Sequence, residues 1–311
     1  MRLAVALLLA VLASCAAPGP GQIPLAERRA GPVDASQGRW AQQYHWLPVV
    51  EAGGAARLIL ARTCRPQGER VARLVVINHG KSPLPAEVAA YAPPSCEAEQ
   101  VRWFLERGFA VVLPVRRGYG GSGGAMAERY PACAPSRDYT VGALETARDI
   151  RAAIAYATKL PGIGGDQVVV VGQSAGGLGA IALSSLNDAR VAALVNMAGG
   201  DGGHLNRVAH AVCAPQALVR AAGRFGATAR APMLWVYTAN DSFFAPELAA
   251  SMHGAYVAGG GQARLASLPA WGTDGHLLFT GRGGSAVWGP VVESFLGLRA
   301  TAAGGLVLAR P

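Results

Sequence analysis

The chain has 311 residues, 51% of them hydrophobic and 15% charged, which is enough apolar material for one large domain and too much for a disordered chain. Its formal charge of +9 comes from scattered arginines, with only Lys81 and Lys159 for lysine. There is no basic run interleaved with aromatic residues, so no nucleic-acid partner is expected, and charge decides little else.

At the N-terminus Arg2 is followed by the uncharged apolar stretch Leu3 to Ala13. This suits the core of a signal peptide and is too short to cross an apolar layer of about 30 Å. It ends in Leu12-Ala13-Ser14-Cys15, which resembles the lipobox of bacterial lipoproteins. The resemblance implies cleavage before Cys15, a diacylglycerol thioether on its sulfur and acylation of the new amine. More than one acyl chain makes a stable anchor. By the same resemblance Ala16 implies the outer membrane, with the protein facing the periplasm or the cell surface. An ordinary secretory signal with an incidental cysteine is the alternative. Residues 1–14 are thus the expected signal peptide. Residues 15–38, rich in Pro and Gly without apolar periodicity, read as a flexible tether, and residues 39–311 as a single domain.

From about residue 40 the pattern is two strands, then alternating strands and helices. Tyr44 to Val50 and Arg57 to Thr63 form an opening pair through Gly53-Gly54. Arg73 to Asn78, Ala110 to Val115, Gln167 to Gly172, Val191 to Met197 and Pro232 to Thr238 are short, continuously apolar runs. Strands covered on both faces of a parallel sheet have that character. Ala263 to Leu268 is a weaker last strand, making eight. Helices are expected at Ala98 to Arg107, Val141 to Leu160, Gly176 to Leu186, Pro246 to Ala258 and Ser285 to Leu298. In the second of these, Leu144, Ala147, Ile150, Ile154 and Ala157 recur at three- and four-residue steps. Alternation of this kind requires crossover connections and a mostly parallel sheet. The stretch Gly199 to Ala231 is the longest insertion and has room for a small cap.

Gly172-Gln173-Ser174-Ala175-Gly176 follows an apolar strand directly and runs into a small-residue helix. That is the context of a nucleophile elbow, in which a tight strand-to-helix turn lifts a serine hydroxyl clear of the sheet. Here the chain resembles the α/β-hydrolase superfamily over roughly residues 40 to 298. The motif GQSAGG, with Asn78-His79-Gly80-Lys81 and the absence of a second domain, is most similar to dienelactone-hydrolase-like and prolyl-oligopeptidase-like esterases. The resemblance implies an α/β-hydrolase fold and a Ser-His-Asp triad. Chain order in the superfamily makes Ser174 the nucleophile, Asp241, just past the strand Pro232 to Thr238, the acid, and His276, after the last strand, the base. Asp201, after the preceding strand, is the competing acid, and Asp274 reads as a turn residue. The HG loop at His79-Gly80 implies an oxyanion hole made of the backbone N–H groups of Lys81 and Ala175, with His79 as scaffold. Arg116 to Gly123 resembles the Gly-rich loop after the fourth strand and is given no chemistry. It lacks the GK[ST] ending of a phosphate-binding loop.

The implied reaction is ester hydrolysis through an acyl-enzyme, on a small-molecule ester, with no cofactor and no metal. An amidase or peptidase with the same triad is one alternative, and an inactive envelope-binding lipoprotein is the other. Besides Cys15 there are Cys64, Cys96, Cys133 and Cys213, whose spacing fits neither a zinc site nor a redox pair. In an oxidising compartment an even number suggests disulfides. Cys96–Cys133 is expected, both lying in loops on the active-site side of the sheet. Cys133–Cys213 is the alternative, and free thiols are a third possibility.

Overall fold

A computed structural model describes residues 23–308 except 69, 131 and 301–305; residues 1–14 and Cys15 lie outside the described residues. Nine strands form one sheet. They are β1 (Gly31–Pro32), β2 (Gln43–Val50), β3 (Ala56–Cys64), β4 (Arg73–Asn78), β5 (Phe109–Pro114), β6 (Val168–Gln173), β7 (Val191–Met197), β8 (Met233–Thr238) and β9 (Ala263–Leu268). Their order is β1-β2-β3-β5-β4-β6-β7-β8-β9. The pairs from β5 through β9 are parallel, while β1, β2 and β3 add antiparallel strands at one edge. The helices are α1 (Pro85–Ala89), α2 (Glu99–Leu105), α3 (Thr140–Ala157), α4 (Ala175–Ser184), α5 (Pro215–Gly226), α6 (Pro246–Ala258) and α7 (Ser285–Leu296).

The continuously apolar strands are explained by two cores, one on each sheet face. Leu74, Val76, Val168 and Val170 point into the core built by α3, α4, α5 and α6, while Val75, Ile77, Val169 and Val171 point into the core of α2 and α7. Each such side chain contributes roughly 1.5–3 kcal/mol by leaving water, which is what fixes the strand register. Edge strand β9 carries no fully buried residue, which accounts for its weaker sequence signal.

Three expectations are corrected. The sheet has a ninth strand, β1, inside the stretch read as a flexible tether: Gly31 and Pro32 pair with Trp46 and His45 of β2. From Ile23 onward that stretch is seated on the domain. Arg28 lies over the Trp46 ring, and Asp34 accepts a 2.7 Å hydrogen bond from the Tyr44 amide. Second, the insertion at 199–231 reaches the site only with its first half, where Gly200 to Asn206 line a cavity beside Ser174. Its second half is α5, whose Ala217, Leu218, Ala221, Ala222 and Phe225 are buried against the sheet core, with Pro215 opening the helix where a missing N–H costs nothing.

Third, the disulfides are Cys64–Cys96 and Cys133–Cys213, not Cys96–Cys133. Cys64 does end β3 away from the active-site edge, opposite Val111 near the start of β5. Cys96 comes to meet it from the stretch between α1 and α2, three residues before α2 begins. Among the described residues, no helix is long and apolar enough to cross a membrane, and no cluster of His, Cys, Asp or Glu could hold a metal ion.

Candidate active site

Ser174 sits between the end of β6 and the start of α4 at φ 53°, ψ −121°, a backbone conformation that L side chains rarely adopt. Strain of this kind costs on the order of 1–3 kcal/mol and persists only where the surroundings hold it. Here the Ser174 amide donates to Met197 O (3.0 Å), and its carbonyl accepts from Leu178 and Gly200 (3.0 and 3.1 Å). The flanking glycines are demanded by contact. A Cβ on Gly172 would lie 2.1 Å from Gly176 O, and one on Gly176 would lie 2.6 Å from both Asn78 O and His79 O. Glycine at both positions lets β6, α4 and the loop after β4 meet.

His276 lies in a 3₁₀ turn, Gly275–Leu277, on the loop after β9, and Asp241 lies just past β8. His276 Nδ1 is 3.1 Å from both carboxylate oxygens of Asp241. A carboxylate only accepts, so Nδ1 carries the proton and Nε2 keeps its lone pair. Asp241 is fully buried and is matched by donors: its Oδ1 also accepts from the amides of Phe243 (2.8 Å) and Phe244 (2.9 Å). The His276 ring stacks on Phe243 with centroids 4.2 Å apart. Asp274 caps the turn, accepting from the His276 amide and from the amide and hydroxyl of Ser242. Partial burial would raise its pKa, but those hydrogen bonds hold it below the ordinary carboxylate value. Asp274 is thus a turn residue, as expected, and also fixes the backbone of His276.

Ser174 and His276 line one cavity of about 480 Å³, together with Lys81, Tyr91 and Phe279. Ser174 and Lys81 also line a second cavity of about 300 Å³, with Ala175, Asp201 and His204. Ser174 Oγ makes no hydrogen bond among the described residues. The backbone amides of Lys81 and Ala175 have no acceptor among the described residues, and Ala175 is the first residue of α4, where the helix dipole favours negative charge.

Asp201 is not joined to His276. It is buried in the smaller cavity, 3.6 Å from Arg137, and burial pushes its pKa up to about 6, with Lys81 and Arg137 pulling the other way. Above its ordinary value of 3.8, the folded protein holds this proton more tightly than the unfolded chain does. Asp201 therefore favours folding least once the pH has risen through about 6, and its cost is absent in acid. Asp201→Asn removes that titration. The melting temperature of the variant is expected to gain on that of wild type as pH rises from 4 to 6 and then to level off; a difference constant with pH would refute the assignment.

His79 is held within the loop after β4 and lines the larger cavity. Its Nδ1 donates to Gly80 O (2.7 Å), its Nε2 accepts from the Arg116 amide (3.1 Å), and its ring stacks on Tyr91. Burial, reinforced by the Arg116 guanidinium, holds its pKa well below the usual histidine value. The residue that sequence reasoning missed is Arg116. It is fully buried, paired with Glu128, and hydrogen-bonded to the carbonyls of His79 and Gly80, so it shapes the loop that carries the Lys81 amide. A run of RRGYGGSG carries no signal that its first arginine turns inward.

A strained serine at a strand-to-helix elbow, above a mostly parallel sheet, defines a protein of the hydrolase class. The chain belongs to the α/β-hydrolase fold family, whose profile matches residues 74–232. Solved structures with the same fold include an esterase of Pyrococcus furiosus (14% identical, 81% of this chain and 91% of that one, TM-score 0.53). Another is acetyl xylan esterase 1 of a Thermoanaerobacterium species (15%, 87% and 88%, TM-score 0.54). A third is a Klebsiella pneumoniae protein bearing the name dienelactone hydrolase (14%, 82% and 98%, TM-score 0.54). No curated protein sequence matches the chain.

Proposed function

We propose that the protein is a serine hydrolase of carboxylic esters. Ser174 is the nucleophile, His276 the base, Asp241 the orienting acid, and the amides of Lys81 and Ala175 the oxyanion donors. The observation that carries this reading is the hydrogen bond of His276 to the buried Asp241, on a ring that shares a cavity with Ser174. With Nδ1–H committed to Asp241, Nε2 takes the Ser174 proton as Oγ attacks the ester carbonyl. The negative charge forms on the carbonyl oxygen, facing the two free amides. Collapse expels the alcohol, which receives the proton from Nε2, and water then repeats the sequence on the acyl-enzyme. The esterases among proteins of the same fold support ester rather than amide substrates.

The test is a panel of p-nitrophenyl esters and matched anilides, with labelling by a fluorophosphonate probe. Turnover of esters but not anilides, with labelling, is expected. Faster turnover of anilides would make the protein an amidase, and neither turnover nor labelling would make it a binding protein.

The same reading includes an envelope location, with the domain held to the outer membrane through lipid on Cys15. Cys15→Ser removes the acceptor thiol, so labelled palmitate is expected on wild type and absent from the variant, while ester hydrolysis is retained in both. Ser174, Asp241 and His276 all lie more than a hundred residues downstream of Cys15. Wild-type protein without label in the soluble periplasm would end the lipid reading and leave the triad untouched.

A further inference from the structure

Phe243 is sandwiched between two histidines. Its ring stacks on His204 with centroids 3.8 Å apart and planes at 10°, and on His276 at 4.2 Å and 23°. Two rings cannot both stack on one face at contact distance, so each occupies one face of Phe243. The outer rings belong to different cavities. His276 lines the 480 Å³ cavity but not the smaller one, and His204 lines the 300 Å³ cavity but not the larger. Phe243 lines both, as does Ser174.

The sandwich is tied from outside. His204 Nε2 lies 2.8 Å from Ser242 Oγ, and the Ser242 hydroxyl is 2.6 Å from Asp274 Oδ2. The carboxylate takes the single hydroxyl proton, so His204 must donate from Nε2. Asp274 also accepts the His276 amide, so one hydrogen-bonded chain fixes the elements that carry both outer rings. His204 holds this place at φ 55°, ψ 38°, a left-handed backbone that the surrounding contacts must maintain.

We infer that Phe243 is a wall dividing the substrate site into two compartments that meet at Ser174, and that His204 is the positioning residue that keeps the wall upright. This rests on Ser174 being the nucleophile. An ester bound for attack straddles the ring, with its acyl and alcohol halves on opposite sides. The compartments differ in size, about 480 and 300 Å³, and both are lined mainly by apolar surface: Tyr91, Leu113 and Phe279 in the larger, Leu205 and Phe244 beside Arg137 and Asp201 in the smaller. The substrate class is therefore an ester joining a group of aromatic size to a smaller one, and esters bulky at both ends are disfavoured.

The test compares kcat/KM for 1-naphthyl acetate, bulky at one end, with that for 1-naphthyl benzoate, bulky at both. Wild type is expected to favour the acetate. Phe243→Ala joins the compartments, and His204→Ala frees the ring, so both should shift the ratio toward the benzoate by about 10-fold or more, the scale on which pocket shape discriminates. His204→Phe restores a stacking ring and should return the ratio to the wild-type value, which a purely structural lesion would not do. If Phe243→Ala fails to fold, Phe243→Leu and His204→Ala still read the wall. An active wild type with no preference, or variants whose ratio stays within about twofold of wild type, overturns the inference alone. A wild type that neither hydrolyses esters nor takes a fluorophosphonate overturns the nucleophile reading along with it.

Discussion

Ser174→Ala is expected to lower kcat for ester hydrolysis by about 10⁴- to 10⁶-fold and to abolish fluorophosphonate labelling, the scale on which loss of a triad nucleophile is felt. The folded protein should barely register the change. Ser174 Oγ makes no hydrogen bond among the described residues, so no partner is left unsatisfied. The strained backbone is held by bonds of the Ser174 amide and carbonyl, which alanine retains. Alanine also meets the same positive φ that serine tolerates, and at 7% exposure the side chain leaves little to rehydrate. The expected observation is therefore a circular dichroism spectrum and a melting curve like those of wild type beside a silent assay. Residual activity above a tenth of wild type would remove Ser174 from the role of nucleophile, whatever the fold.

What the sequence made legible, and what it hid, divides along physical lines. Strands β4 to β8 could be placed within a residue or so because both of their faces are buried, which forces unbroken apolar runs. The elbow was legible because close approach of β6, α4 and the loop after β4 tolerates only glycine at 172 and 176, and such positions leave their mark in the sequence. The neighbourhood of Asp241 and His276 followed from chain order in the resembling superfamily, not from any local pattern. Two kinds of feature stayed hidden. One is pairing decided by the path of a connection, as in Cys64–Cys96, where the run of the chain between β4 and α2 sets which cysteine is near. The other is a polar side chain whose partner is remote in sequence. Arg116 meets Glu128, and His204 meets Ser242, through contacts that no periodicity announces. Helix α5 was readable in principle, since its buried residues recur at helical spacing, but it lies in the stretch from Gly199 to Ala231, read whole as an insertion.

Comparing Asp241→Asn with Asp201→Asn decides which acid serves His276, and the expected gap is large. Asparagine at 241 can keep its volume and still accept from the Phe243 and Phe244 amides through its carbonyl oxygen, so the turn after β8 should survive. It cannot stabilise the positive imidazole that forms when Nε2 takes the serine proton. Its NH₂ can also face Nδ1 as a donor, which favours the tautomer with its proton on Nε2 and leaves the base unable to accept. A loss in kcat of about 10⁴-fold is the scale of that exchange in a triad. Asp201 stands in different surroundings. It faces Arg137 across 3.6 Å in the smaller cavity and makes no bond to His276. Asparagine there removes a carboxylate that burial already holds near half-protonation at about pH 6, and should change kcat/KM within about an order of magnitude, through KM more than through kcat. If Asp201→Asn proved the more damaging of the two, the acid would lie after β7 and the hydrogen bond of His276 to Asp241 would be structural only. Equal and small losses would mean that no carboxylate orients His276, and the triad itself would fall.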